Sequence, residues 1–250
     1  MQKKRIWIMT MFPEYFEPLK QFGVLGSALR NERGDGSGEF ELITVSISDF
    51  NPKGFKGVDD SPFGGGVGMI MRADILKQAL IEGVVNQGAY NLDRIKEELH
   101  IVCPSPRGKV WCHKEAIEFS KNLDFKNKKD IVFICGRYEG IDERFLETYV
   151  DEYISLGDYI LTGGELATMT ILDSAMRFAP GVLGNKMSAV DESFASGALE
   201  YALYTRPREF EGVSVPDELL SGSHAKIEKF KKESSLKITK KYRPDLLEVD

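Results

Sequence analysis

Residues 131–144 read Ile131-Val132-Phe133-Ile134-Cys135-Gly136-Arg137-Tyr138-Glu139-Gly140-Ile141-Asp142-Glu143-Arg144. Five apolar residues in a row, without polar alternation, predict a strand buried on both faces, and such strands belong to parallel sheets. Two glycines, an aromatic ring and interleaved charges follow at once. That composition suits a ligand loop at the carboxyl end of a strand in an α/β fold. An ion-paired surface turn has the same composition, so this loop alone leaves both readings open.

The same order recurs on either side. Ile101-Val102-Cys103 runs into Pro104-Ser105-Pro106-Arg107-Gly108, and Tyr153-Ile154-Ser155-Leu156 into Gly157-Asp158-Tyr159-Ile160-Leu161-Thr162-Gly163-Gly164. Residues 165–178 then carry apolar side chains at helical spacing (Leu166, Met169, Leu172, Ala175, Met176) and stop at Pro180-Gly181. Toward the N-terminus, strands are predicted over 5–11 and 40–48, a turn into a short helix at Phe12-Pro13-Glu14, and a helix over 69–85. Strands alternating with helices predict an α/β domain, and three strand-end loops in one sheet can converge on a single pocket. Residues 51–68 fit neither periodicity and form a long loop, a place where function concentrates. Within it, Asp59-Asp60-Ser61-Pro62-Phe63-Gly64-Gly65-Gly66-Val67-Gly68 matches neither GxGxxG nor GxxxxGK, so neither a Rossmann pyrophosphate site nor a P-loop is supported. Its glycines serve either a tight turn or close backbone approach to a ligand.

With 42% apolar and 29% charged residues, the 250-residue chain has the composition of an ordinary globular protein. The apolar run before Phe12 is broken by Thr10 and closed by Pro13, without a small-residue cleavage site, and reads as a first core strand rather than a signal peptide. No stretch approaches the roughly 20 apolar residues that span a bilayer. Cys103, Cys112 and Cys135 lack CxxC spacing, and His100, His113 and His224 lack zinc-like spacing. Free thiols acting as small core residues, a cytoplasmic location and no structural zinc are expected.

Beyond residue 184 the character changes. Residues 185–193 read as a polar linker and 194–250 as a small helical domain, with Ser221 or Ser223 as a helix N-cap. Residues 221–243 hold eight Lys and Arg against two acids, a charge of +6, which leaves −12 on the rest of a chain whose formal charge is −6. A basic end on an acidic protein fits a phosphate-facing surface, and equally a solvated lysine-rich helix face.

Seven segments in order carry a resemblance: Phe12-Pro13-Glu14; Asp59 through Gly66; Gly136 through Arg144; Gly157-Asp158-Tyr159 with Gly163-Gly164-Glu165-Leu166; Pro180-Gly181-Val182-Leu183-Gly184; Tyr204-Thr205-Arg206-Pro207; and Arg243-Pro244-Asp245-Leu246-Leu247. Together they resemble the bacterial TrmD family of tRNA (guanine-N1)-methyltransferases, in the SPOUT superfamily. The resemblance implies a SPOUT-type α/β domain over 1–184, with a parallel sheet and a C-terminal trefoil knot over about 101–181, an exception to the rule against knotted connections. It further implies the linker 185–193, a small helical tRNA-binding domain over 194–250, and a homodimer whose active sites lie at the subunit interface.

The implied reaction is S-adenosylmethionine-dependent methylation of N1 of the guanosine immediately 3′ of the anticodon, with magnesium as a helper ion whose position is unknown. The implied cofactor residues are Ser105 and Pro106; Gly136, Tyr138, Glu139 and Gly140; and Ser155, Leu156, Gly157, Asp158, Tyr159, Ile160, Leu161, Gly163 and Gly164. Guanine N1 bears a proton near neutral pH, so the chemistry calls for a carboxylate base and a cation for the charge that builds on the carbonyl oxygen. The resemblance assigns the cation to Arg177 and the base to Glu192, where the family has Asp. A one-residue shift presents Asp191 instead. Asp59, Asp60, Arg206 and His224 are the implied RNA contacts. Cys103-Pro104 and Leu203 also depart from the family pattern, at one pocket wall and one RNA contact. The alternatives are a catalytically impaired tRNA-binding protein on the same fold, through the change at Glu192, and a nucleotide hydrolase using Gly64–Gly66. The second lacks a Lys or Ser/Thr at P-loop spacing.

Overall fold

The computed structural model describes residues 3–32, 38–51, 57–183 and 192–247. The chain divides into two compact units, Met1–Gly184 and Asn185–Asp250.

The first unit is built on five strands: β1 (Lys3–Thr10), β2 (Glu39–Ser46), then, after the short antiparallel pair β3 (Asp59–Asp60) and β4 (Ile70–Met71), β5 (Leu99–Val110), β6 (Asp130–Ile134) and β7 (Glu152–Ser155). The five form one sheet in the order β2-β1-β6-β5-β7, with every neighbouring pair parallel. Helices α1 (Glu17–Gln21) and α2 (Gly23–Leu29) connect β1 to β2. Before β5 come α3 (Ala73–Gln78), a π-helical stretch (Ala79–Val85), α4 (Asn86–Gly88) and α5 (Ile95–Glu98). The remaining connections are α6 (His113–Ser120), α7 (Glu143–Tyr149) and, after β7, α8 (Gly164–Met176).

Side chains alternate across a strand, and here both faces are apolar. Ile6 and Ile8 of β1, with Ile131 and Phe133 of β6, pack in one core with Leu25, Phe119, Ile171 and Leu172. Trp7 and Met9, with Val132 and Ile134, pack in the other with Ile75, Leu76, Leu80 and Phe145. Helices α2, α6 and α8 therefore cover one face, and α3, its π-helical extension and α7 the other. Full burial of each such side chain contributes about 1.5–3 kcal/mol. Lys4 is buried among them because its ammonium donates to the carbonyls of Asn127 (2.6 Å) and Lys129 (2.7 Å); burial lowers its pKa, opposed by Asp130.

Three sequence expectations change. The helix expected over 69–85 begins at Ala73, because Ile70 and Met71 are drawn into β4. Met71 N donates to Gly140 O (2.9 Å) and Met71 O accepts from Asp142 N (3.0 Å), a long-range pairing that outweighs helical spacing. The Ser105–Gly108 loop lies within β5, as an excursion in the strand. Cys112 is exposed rather than a core residue, whereas Cys103 and Cys135 are buried. Burial pushes the Cys103 thiol up to about 12 and raises Cys135 as well.

The second unit holds the hairpin β8 (Glu209–Phe210) and β9 (Val213–Ser214), α9 (Asp217–Leu220) and α10 (His224–Tyr242). Hydroxyls sew residues 199–202 onto α10: Leu199 N donates to Thr239 Oγ1 (3.0 Å), Ala202 N to Ser234 Oγ (3.0 Å), and Ser235 Oγ to Leu199 O (2.6 Å). Ser223 occupies the N-cap of α10 without a side-chain cap bond, and Ser221 Oγ accepts from Ser223 N (3.2 Å). Lys226, Lys229, Lys232, Lys237, Lys240 and Lys241 of α10 are exposed. Among the described residues no helix is long and apolar enough to cross a membrane.

Candidate active site

An excursion inside β5 and the segments at the carboxyl ends of β6 and β7 line a cavity of about 510 Å³, within the size range of small-molecule sites. The first wall is the excursion in β5. Pro104 and Lys109 both register against Ile154 of β7, so residues 105–108 leave the ladder and rejoin it at the same rung. Gly108 makes this possible: a Cβ there would sit 2.4 Å from Ile154 N and from Tyr153 C. Arg107 Nη1 donates to Glu143 Oε1 (2.6 Å), which fastens the excursion to α7.

The second wall is Gly136 to Ile141. Tyr138 there has φ +58°, a left-handed conformation that costs a non-glycine residue free energy and clusters at functional sites. Asp59 lies near its phenol, and burial first, then that carboxylate, raises its pKa. The loop is stitched to the glycine-rich segment by Glu139 N donating to Met69 O (3.0 Å). The third wall runs from Ser155 through Gly164 into Ala167 of α8. Ser155 Oγ accepts from Gly157 N at 3.2 Å, and Gly164 N donates to Gly136 O at 2.9 Å, joining the second and third walls.

One buried ion pair braces all of this. Glu165, 1% exposed, stands in the first turn of α8, where the helix dipole favours an anion. Its carboxylate accepts from Thr10 Oγ1 (2.8 Å) and from Arg137 Nε (3.2 Å), and pairs with Arg137 Nη2 (3.0 Å). Arg137 also donates through Nη1 to Thr162 O (3.1 Å) and lies 4.5 Å over the Phe12 ring. The end of β1, two cavity loops and α8 thus meet at a single guanidinium.

Of the residues singled out in the sequence for a cofactor, Ser105, Pro106, Gly136, Tyr138, Glu139, Gly140, Ser155, Leu156, Gly157, Tyr159, Ile160, Leu161, Gly163 and Gly164 line this cavity. Asp158 is exposed and does not. Asp59 reaches the wall through Tyr138, while Asp60 lines a second cavity of about 700 Å³. Arg177 does not line the first cavity. It follows the last turn of α8, about 20 Å along the axis from Gly164 at 1.5 Å per residue. Glu192, half-buried, the exposed Arg206, and His224 at the start of α10 belong to the second unit. Asp191 lies outside the described residues. Among the described residues no three His, Cys, Asp or Glu side chains gather as metal ligands.

The sequence reading missed Arg107, Arg137 and Thr162 as wall residues. Arg137 had a signal, since it is the charged residue beside Tyr138 in the opening motif. Its partner Glu165 stands in the Gly163–Leu166 segment of the resemblance, but nothing there marked it as buried, because a Glu opening a helix is ordinarily a solvated one.

The fold and cavity define a class: an α/β protein with a cavity of small-molecule size where glycine-bearing loops follow neighbouring parallel strands. Residues 4–249 match the family model described as tRNA (Guanine-1)-methyltransferase TrmD. A tRNA (guanine-N(1)-)-methyltransferase of Brevibacillus brevis is 43% identical over 244 residues, covering 98% of this chain and 91% of that one. Proteins of the same name from Lactobacillus delbrueckii subsp. bulgaricus (42% over 241 residues; 96% and 88% covered) and Cupriavidus taiwanensis (40% over 242; 97% and 87%) are similar in extent. The chain belongs to the TrmD family of tRNA (guanine-N1)-methyltransferases.

Proposed function

We propose that the protein transfers a methyl group from S-adenosylmethionine to N1 of the guanosine immediately 3′ of the anticodon in tRNA. The observation that carries this is the cavity lined jointly by the β5 excursion and the loops after β6 and β7, in a chain of this family. Its wall carries glycines at 136, 140, 157, 163 and 164, which leave backbone groups open to a ligand. Such a wall suits an adenosine whose edge is read by amides and carbonyls, and Leu156, Ile160 and Leu161 give the base an apolar bed. Bound there, S-adenosylmethionine supplies an electrophilic methyl group.

The protein's own residues do the rest. Glu192, or Asp191 one residue before it, takes the proton from guanine N1 and makes it nucleophilic. Arg177 neutralises the negative charge that develops on the guanine carbonyl oxygen. Asp59 and Asp60 contact the target base or its neighbour. Arg206, His224 and the exposed lysines of α10 meet RNA phosphates. Magnesium is a helper ion on this reading, at a position that the carboxylates among the described residues do not mark.

The distance of Arg177 from the cavity of its own chain supports a homodimer, in which a second copy brings its α8 end to the site. The SPOUT-type knot is supported by the strand order β6-β5-β7 together with the seating of α8, whose Gly164 would place a Cβ 2.9 Å from Cys135 Cα. Residues 185–193 are then the linker, and the second unit is the tRNA-binding domain.

Nucleoside mass analysis tests the reaction. Incubation of guanine-bearing tRNAs with protein, S-adenosylmethionine and magnesium should yield N1-methylguanosine, and its absence across several such tRNAs overturns the reading. Replacing Glu192 by Gln and Asp191 by Asn in separate proteins assigns the base: if neither change slows methylation, the proton leaves by another route.

A further inference from the structure

Two guanidiniums line the first cavity, and they are held in opposite ways. Arg137 is spent: its Nε and Nη2 meet Glu165, its Nη1 meets Thr162 O, and its side chain is 15% exposed. Arg107 is committed far less. Its side chain and that of Glu143 are 51% and 52% exposed, and one nitrogen, Nη1, meets one oxygen, Oε1, at 2.6 Å. Arg72 on Asp74 and Arg144 on Asp142, by contrast, each engage a carboxylate with two nitrogens. A half-exposed ion pair adds little stability, so the Arg107 guanidinium can leave Glu143 at small cost.

The backbone under that guanidinium does not share its freedom. Arg107 N donates to Ser105 Oγ (3.4 Å), and Gly108, the next residue, is packed against the backbone of Ile154. The guanidinium itself lies 5.7 Å over the ring of Tyr153 in β7. A change of side-chain rotamer therefore moves the charge and leaves the wall in place. Once Arg137 is set against Glu165, the charged side chains left on the cavity wall, among the described residues, are Arg107 and Glu139. One cation and one carboxylate suit a ligand end that carries both signs. S-adenosylmethionine has such an end, the α-amino acid beyond its adenosine. The apolar bed of Leu156, Ile160 and Leu161 belongs to a different wall from Arg107. A planar guanidinium fits a carboxylate through two parallel bonds, a match that a lysine cannot make.

We propose that Arg107 exchanges Glu143 for the α-carboxylate of the cofactor, and thereby makes the cavity select adenosyl compounds that carry an amino acid over those that lack one. This rests on the S-adenosylmethionine reading of the cavity. Glu143 is then a competitor that parks the guanidinium until the ligand arrives. Calorimetry on the full chain tests the exchange with S-adenosylhomocysteine and with 5′-methylthioadenosine, which has a methyl group in place of the amino-acid end. The weaker ligand is measured by displacement of the tighter. Arg107→Ala should weaken S-adenosylhomocysteine roughly tenfold, the size of a charge-assisted contact at a half-exposed site, and leave 5′-methylthioadenosine unchanged. Arg107→Lys should recover only part of the loss. Glu143→Gln should tighten S-adenosylhomocysteine, because the competing carboxylate is gone. Equal losses for both ligands in Arg107→Ala overturn the proposal, as does weaker S-adenosylhomocysteine binding in Glu143→Gln; either result makes the pair a fastener of the wall. Unchanged S-adenosylhomocysteine affinity in Arg107→Ala overturns the proposal and leaves the cofactor reading standing. Uptake of neither ligand by the wild type removes both.

Discussion

At the scale of single residues, the chemistry of the site depends on groups that are locked rather than reactive. Cys103 and Cys135 are 4% and 0% exposed and their thiols are raised by burial, so neither supplies a thiolate nucleophile near neutral pH. Iodoacetamide should therefore modify one thiol of the native protein, the exposed Cys112, and three after unfolding. Glu165 is different, since it is buried with a charge. Glu165→Ala leaves the largely buried Arg137 without its carboxylate, and breaking such a pair costs about 3 kcal/mol. Thermal denaturation should show that loss, and calorimetry a parallel loss of cofactor affinity, because Arg137 joins two of the three walls. Tyr90 sets an alkaline limit. Burial first, and then Asp130, raise its phenol well above the ordinary 10.0, and the hydroxyl lies 2.5 Å from Asp130 Oδ2 and 3.0 Å from Trp7 Nε1. Between the unfolded and folded values the native state binds more protons. The contribution is thus complete below about pH 10 and is lost as pH rises through the folded value. Urea unfolding from about pH 9 to 11 should fall more steeply for the wild type than for Tyr90→Phe.

At the scale of elements, β5 is the sensitive one. Gly108→Ala puts a methyl group into the backbone of β7 at 2.4 Å, where no side chain can swing away. Overpacking of this kind costs about 1–3 kcal/mol, so the melting temperature should drop and S-adenosylmethionine binding weaken together. This element also shows what was legible in the sequence. β1, β6 and β7 lie within a residue or two of the apolar runs that predicted them, because unbroken hydrophobic stretches bounded by Gly or Pro have few other solutions. That the runs end beside one another was legible from the Gly- or Pro-containing loops after each. The excursion at 105–108 was not, since a residue that rejoins the ladder at the rung it left is defined by Ile154, some fifty positions away. Nor was β4, whose partners are Asp59, Gly140 and Asp142. The hairpin β8–β9 escaped for another reason: two-residue strands with exposed side chains have no periodicity to detect.

At the scale of the whole molecule, charge and copy number make the predictions. The exposed lysines of α10 should give tRNA binding a steep salt dependence, and each phosphate contact removed by a Lys→Ala change should lower the log–log slope by about 0.7–0.9. A slope unchanged by replacing Lys229, Lys232 and Lys237 together would mark that face as merely solvated. A site shared between two copies should show complementation. Arg177→Ala and a cavity variant such as Gly164→Val, each inactive alone, should recover activity when co-folded, because a mixed dimer has one intact site. No recovery would confine each site to one chain.

The detour in β5 has a bearing on how such a protein can change. Since Pro104 and Lys109 share a rung, Ser105 and Pro106 can be exchanged without shifting the β5–β7 register, with Gly108 as the fixed hinge-pin and Arg107 tied to Glu143 and Tyr153. Ligand preference along that wall can drift by substitution there while the architecture that carries it stays as it is.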